Sequence, residues 1–231
     1  GDGVPSYQGV LNSGIYIWGA DLRVANDGVN LPSYQRVGNV SVTPSDYDTV
    51  GFPKYLRFDG IDDFLQTNSI NFTSTDKMTV WTGVRKLSDA AFGMISELSP
   101  SISNNNGSFS LSAGNLSTGA PAYAGATKGT YFGSMQTGNL FPAPITNILA
   151  MSGDISGDSA ILRVNGTQAA SSTADQGAGD FGNYPIFIGR RGGTTLPFNG
   201  RIYQLLIRGS QSSESQITSA EQFVNSKTKS Y

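Results

Sequence analysis

Phe198-Asn-Gly-Arg-Ile-Tyr-Gln-Leu-Leu-Ile207 is apolar on both sets of alternating positions, Ile202 and Leu206 on one and Tyr203, Leu205 and Ile207 on the other. A short run of this kind reads as an interior strand covered on both faces. Upstream of it, Pro185-Ile-Phe-Ile-Gly189 is a second apolar run closed by glycine. Before that, Ala160-Ile-Leu-Arg-Val-Asn-Gly166 ends in Asn-Gly and is followed by Gln168–Ala170, the strongest short-range signal for a two-residue hairpin. Downstream, Ser213 and Gln216 have capping-box spacing, and Ile217, Ala220, Phe223 and Val224 then recur at helical intervals. The spacing predicts one short helix over 212–226 that docks an apolar stripe.

Strand-like runs separated by turn signals fill the rest. Phe109, Leu111 and Ala113 alternate with Ser108, Ser110 and Ser112, which predicts a strand with one wet face. Met78, Val80 and Val84 share a face, with Trp81 opposite. Ile15–Trp18, Tyr55–Phe58, Phe92–Leu98 and Ile145–Met151 complete the set, while 99–107 and 113–130 read as long Ser/Asn/Gly/Ala-rich loops. Many short strands and a single helix predict an all-β, two-sheet antiparallel sandwich. Its 231 residues suit one domain, with 1–50 supplying strands and loops that complete it.

Composition narrows function by exclusion. There is no cysteine and no histidine, so thiolate and imidazole chemistry are absent as nucleophile, general base or metal ligand. The net charge is −2 and the basic residues are dispersed along the chain, which supplies no phosphate-binding face for nucleic acid. No apolar run approaches the roughly 20 residues that span a bilayer. Gly177-Ala-Gly-Asp-Phe-Gly182 matches a dinucleotide fingerprint in letters only, since a strand and not a helix follows it; it reads as a turn.

The ordered runs in the C-terminal half, together with Leu56-Arg-Phe-Asp-Gly-Ile-Asp-Asp63 and Asp76-Lys-Met-Thr-Val-Trp-Thr-Gly83, resemble the laminin-G-like and pentraxin-like branch of the concanavalin A-like superfamily. The resemblance covers roughly 50–226 and implies a jelly roll. Val84-Arg-Lys-Leu-Ser-Asp89 and Gly189-Arg-Arg-Gly-Gly-Thr-Thr-Leu-Pro-Phe-Asn-Gly200 are also similar to segments of phage and prophage tail or capsid proteins. These resemblances imply a lectin-like domain on a virion or extracellular particle surface, a host surface polysaccharide or glycan as partner, and contacts with other particle subunits or further copies of the chain. Pentraxin-like relatives hold calcium with acidic and amide groups after the Ile-Gly strand. Here that loop carries Arg190 and Arg191 and no carboxylate.

Sugar recognition needs aromatic faces for the apolar side of a pyranose and polar groups for its hydroxyls. Tyr123, Tyr131 and Phe132, and Tyr184, Arg190 and Arg191, supply those types. The same residues serve equally as core-rim tyrosines and ion-paired arginines. Asp59, Asp62 and Asp63, or Asp154 and Asp158, offer oxygens to calcium; as turn and amide-capping groups they need no ion. No cofactor is otherwise implied. The glutamates are Glu97, Glu214 and Glu221, with no Glu-x-Asp-x-x-Glu run of the glucanase branch. A non-catalytic glycan binder is the leading expectation. A structural decoration or fibre-assembly domain, and a hydrolase or lyase with non-standard carboxylates, are the alternatives.

Overall fold

The computed structural model describes residues 54–115, 121–138 and 140–230, and the backbone alone at 36–37, 47–48 and 115. The chain divides into two compact units, Gly1–Phe52 and Pro53–Tyr231. In the first, β1 (Arg36–Val37) pairs antiparallel with β2 (Tyr47–Asp48). The strand expected at Ile15–Trp18 lies outside the described residues, as does most of the 1–50 segment expected to complete the sandwich.

The second unit is built from β3 (Leu56–Asp59), β4 (Leu65–Gln66), β5 (Ile70–Asn71), β6 (Lys77–Lys86), β7 (Phe92–Leu98), β8 (Ser108–Asn115), β9 (Pro121–Lys128) and β10 (Phe132–Gln136). It continues through β11 (Ile145–Asp154), β12 (Ser159–Val164), β13 (Thr167–Ser172), β14 (Asn183–Tyr184), β15 (Ile186–Ile188), β16 (Asn199–Arg208) and α1 (Glu214–Thr228). Sheet I runs β13-β12-β11-β6-β16-β3 and sheet II runs β10-β9-β8-β7-β15-β4; β5 and β14 form a separate pair. Pairing is antiparallel throughout.

The inner faces meet in one apolar core. Met78, Val80, Val84, Leu149, Met151 and Leu162 from sheet I pack with Ile95, Phe109, Leu111, Ala113 and Tyr123 from sheet II. Trp81, on the opposite face of β6, joins Ile148, Ala150, Ile217 and Val224 in a second cluster beneath α1. The interior strand β16 is covered on both sides, as its composition predicts. A bulge between Ile202 and Gln204 resets its alternation, so Ile202, Leu205 and Ile207 face the sandwich core and Leu206 faces the helix.

Two local predictions are met atom by atom. Asn165 (φ 49°) and Gly166 (φ 81°) both take the left-handed conformation that a tight two-residue hairpin requires. The Asn165 amide also accepts from the Ile148 N–H at 2.8 Å and donates to Asn147 at 2.8 Å. At α1, the Ser213 Oγ accepts from the Gln216 N–H while the Gln216 side chain accepts from the Ser213 N–H. The predicted loop at 113–130 is corrected: β8 runs to Asn115 and β9 begins at Pro121. Alanine, glycine and threonine are poor strand signals, but packing selects them here. A Cβ at Gly125 would come within 2.7 Å of the Met151 sulfur.

The helix is also held by charge. Arg163 on β12 places its Nε 2.9 Å from Glu221 Oε1, with Glu221 almost fully buried, and reaches the exposed Glu214 at 2.9 Å. Removing one member of a buried pair strands the other charge. Glu221→Ala is therefore expected to cost about 2–4 kcal/mol, reduced from the fully buried case because Arg163 keeps some water. Glu214→Ala should stay within about 0.5 kcal/mol. Chemical denaturation of both variants checks this; equal losses would refute the distinction.

Candidate functional site, a serine-floored groove on sheet II

The face of sheet II turned away from the core carries its own cross-strand rows. Register places Ser134, Ala126, Ser110, Glu97, Phe187 and Gln66 side by side across all six strands. The neighbouring row is Gln136, Ala124, Ser112 and Met94. Over β8, β9 and β10 these side chains are among the smallest available, so the surface dips. Ser110, Ser112, Ala124, Ala126 and Ser134 floor a groove of about 450 Å³ walled by Phe132, Ile102, Ser103 and Arg191. The wet face predicted for β8 is thus largely sheltered: Ser110 and Ser112 are buried although they point away from the core.

The walls are fixed by a clamp at Glu97. Its side chain is fully buried on the outer face, and its carboxylate accepts the Ile102 N–H at 2.7 Å and the Arg191 Nε at 2.9 and 3.1 Å. One carboxylate thereby holds the 99–105 loop and the 190–196 loop over the sheet. On the opposite wall, the Lys128 ammonium donates to the Ser103 carbonyl at 2.9 Å and lies 4.9 Å from the centre of the Phe132 ring.

Of the residues predicted from sequence, Phe132 and Arg191 meet at this groove. Tyr131 stands beside Phe132 at the β9–β10 turn and is 59% exposed. Tyr123 is corrected. It has no exposed surface, packs against Phe141 at 5.5 Å and accepts a hydrogen bond from Asn147, and burial pushes its phenol well above its ordinary value. Tyr184 pairs with Ile70 in the β5–β14 ladder and packs against the main core. Arg190 donates to the carbonyls of Asp62 and Thr194. Sequence reasoning missed the floor residues and Glu97; the Ser-x-Ser-x-Ser alternation of β8 was their only trace.

The acidic candidates have structural partners. Carboxylate oxygens of Asp59, Asp62 and Asp63 lie within 4.8 Å of one another on an exposed turn. There Asp59 accepts the Ile61 N–H at 2.7 Å, and Asp63, in the amide-capping role expected of Asp62, accepts the Asp59 N–H at 3.1 Å. Asp154 pairs with Lys77 at 3.0 Å and accepts the Gly157 N–H, while Asp158 accepts the Gln176 N–H at 2.8 Å. Glu97, Glu214 and Glu221 are each ion-paired with an arginine.

No protein-family model and no curated protein matches the chain. Among solved structures it is similar to the CBM40 module of the Ruminococcus gnavus IT-sialidase, at 18% identity and a TM-score of 0.51, covering 68% of this chain and 98% of that one. That module is also described bound to alpha2,3 and to alpha2,6 sialyllactose. A native heptameric SAP-like pentraxin from Limulus polyphemus matches at 11% identity and a TM-score of 0.56, covering 71% and 80%. The NanB sialidase of Streptococcus pneumoniae matches at 14% and 0.52, over 72% of this chain and 28% of that one. These likenesses show the fold alone, a two-sheet antiparallel jelly roll.

The clamp carries a pH signature. Burial raises the Glu97 carboxyl above its ordinary value, more than Arg191 and the Ile102 amide lower it. A carboxyl raised by folding binds its proton more tightly in the folded than in the unfolded state. Its contribution is full below the ordinary glutamate range and is lost as pH rises through the folded value. Glu97→Gln should remove that loss, so denaturation midpoints of variant and wild type should diverge with rising pH across the carboxylate range, the wild type falling relative to the variant. Parallel curves would count against it.

Proposed function

We propose that this chain is a non-catalytic, lectin-like module that binds a host surface glycan in the serine-floored groove of sheet II. The observation that carries the reading is the groove itself. It is a shallow trough floored by hydroxyls and methyls, with the Phe132 ring and the Arg191 guanidinium on its walls. Serine hydroxyls both donate and accept, which suits sugar hydroxyls. The Phe132 ring, 40% exposed, offers an apolar face to a pyranose. The sialyllactose-bound CBM40 structures support glycan recognition as a use of this fold.

The same reading places the module on a bacteriophage or phage-derived particle, at a virion or extracellular surface, beside other particle subunits and further copies of itself. Support comes from the resemblance of Val84–Asp89 and Gly189–Gly200 to phage structural proteins. A single open groove gives weak binding. Display in several copies would raise the effective affinity by about 10²- to 10⁴-fold where geometry allows simultaneous engagement.

A multivalent form on a glycan array tests this. Binding is expected for wild type and is lost in Ser134→Trp, which fills the trough from an exposed strand position, and weakened about tenfold or more in Phe132→Ala. Ser134→Trp should fold as stably as wild type to within about 1 kcal/mol, since position 134 faces away from the core. Absence of any glycan signal, or an unchanged signal in Ser134→Trp, would overturn the assignment.

A further inference from the structure

Three arginines that are far apart in sequence are brought side by side by the fold. Arg57 on β3 stands opposite Arg201 on β16, and Arg201 stands opposite Arg85 on β6. The row continues to Thr146 on β11. These positions alternate with the core residues Phe58, Ile202 and Val84, so the arginines share the outer face of sheet I. Strand spacing puts the backbones of the outer two about 10 Å apart, with the third between them.

Like charges directly opposite one another destabilise a sheet, and neighbouring carboxylates ordinarily relieve them. Among the described residues none of the three arginines has an ion pair. Arg85 donates to the Thr146 hydroxyl at 3.0 Å, Arg201 lies 4.5 Å from the centre of the Tyr55 ring, and the Arg201 Nε is buried without a partner. Asp59 lies two residues along β3 from Arg57, but its Oδ1 is already engaged by the Ile61 N–H. Beside the row, Lys54, Tyr55, Tyr203 and Gln204 form the polar rim of a cleft of about 300 Å³ at the sheet edge, whose remaining lining, Leu56, Ile188, Ile202 and Leu205, is apolar and runs in toward the core.

We propose that the Arg57–Arg201–Arg85 row is an oxyanion-binding site for a sulfate- or carboxylate-bearing polysaccharide, on the face of the sandwich opposite the groove. Guanidinium forks match planar carboxylates and the oxygen edges of sulfate, and among the described residues no carboxylate already neutralises these three. The adjoining tyrosines and the Gln204 amide supply a ring face and hydroxyl-bonding groups next to the charge, as a saccharide needs. A nucleic acid is disfavoured by the net charge of −2 and by the shortness of the row, since phosphate-backbone binding draws on many cations at once.

The proposal does not rest on the groove, and one set of titrations separates them. Calorimetry would compare a sulfated dextran oligosaccharide, an oligogalacturonate, unmodified dextran and a short single-stranded DNA, using wild type, the triple variant Arg57→Gln/Arg85→Gln/Arg201→Gln, and Ser134→Trp. Wild type is expected to bind at least one acidic saccharide, more weakly as salt rises, and to bind unmodified dextran at least tenfold more weakly. Which of the two acidic saccharides binds identifies the source of the oxyanion. The triple variant should lose tenfold or more in affinity, while Ser134→Trp binds as wild type does. Melting gives an independent reading: at equal ionic strength, sulfate should raise the melting temperature of wild type more than chloride does, and the triple variant should lose that difference. The variant should melt no lower than wild type in chloride, because its ladder no longer repels. Acidic-saccharide binding that survives in the triple variant, binding lost in Ser134→Trp instead, an equal sulfate shift in both proteins, or binding of the DNA alone would each overturn the proposal.

Discussion

Two sheets can share one core only if every strand keeps its apolar positions turned the same way. The side-chain period of a strand is two, so a slip of one residue would turn its whole apolar set outward. This constraint governs the irregularities of the fold. Register shifts fall between Met94 and Ser96 in β7 and between Ile202 and Gln204 in β16, each a strand that carries apolar residues on both of its faces, while the shift opposite Leu162 and Arg163 takes its extra residue, Ala169, from β13. At each shift the alternation is reset rather than broken. The shift in β7 lets Ile95 reach the core while Met94 and Glu97 remain on the outer face, and so it places the clamp that builds the groove.

That outer face shows how emptiness is constructed. On most of a sheet's exposed face, long polar side chains would fill the space above the strands. Over β8, β9 and β10 the positions hold serine and alanine, while bulk is supplied only at the margins by Phe132, Ile102 and Arg191. Glu97 is costly to bury, as its raised carboxyl records, and it holds two loops that have no backbone ladder to each other. The groove is therefore bounded on one side by strand β10 and on the other by loops held through an ion pair, which makes that second wall more sensitive to charge than the floor is.

The fold was legible where the signal is local. Asn165-Gly166, the Ser213–Gln216 box and the alternation of Phe109, Leu111 and Ala113 each act through neighbours within a few residues; the first two appear as read, and the third forms the strand as read but with its serine face sheltered. β9 was not legible, because Pro121–Lys128 is strand by virtue of what lies across the sandwich. Its small residues fit Met151 and Met135, and no nearest-neighbour pattern encodes that fit. The site was legible only at its walls. Aromatic and guanidinium groups announce themselves in a sequence, whereas a floor is defined by side chains that are missing. Tyr123 misled for the same reason, since a tyrosine's chemistry is identical at a rim and in a core until an Asn147 amide is seen to satisfy its hydroxyl. Arg57, Arg85 and Arg201 become a group only through strand register, so no stretch of chain displays them together.

The helix α1 lies on sheet I, over β6, β11 and β16, with Thr228 against Gly83 and the Ser230 hydroxyl bonded to the Thr146 carbonyl. The groove is on the other side of the sandwich. A tether attached beyond the helix therefore leaves from the back of the module relative to the groove. Copies fixed to a bead, a sensor chip or an assembling scaffold through that point would all present sheet II outward. Within the second unit, the helix and the Arg57–Arg201–Arg85 row thus lie toward the point of attachment, and the groove lies away from it.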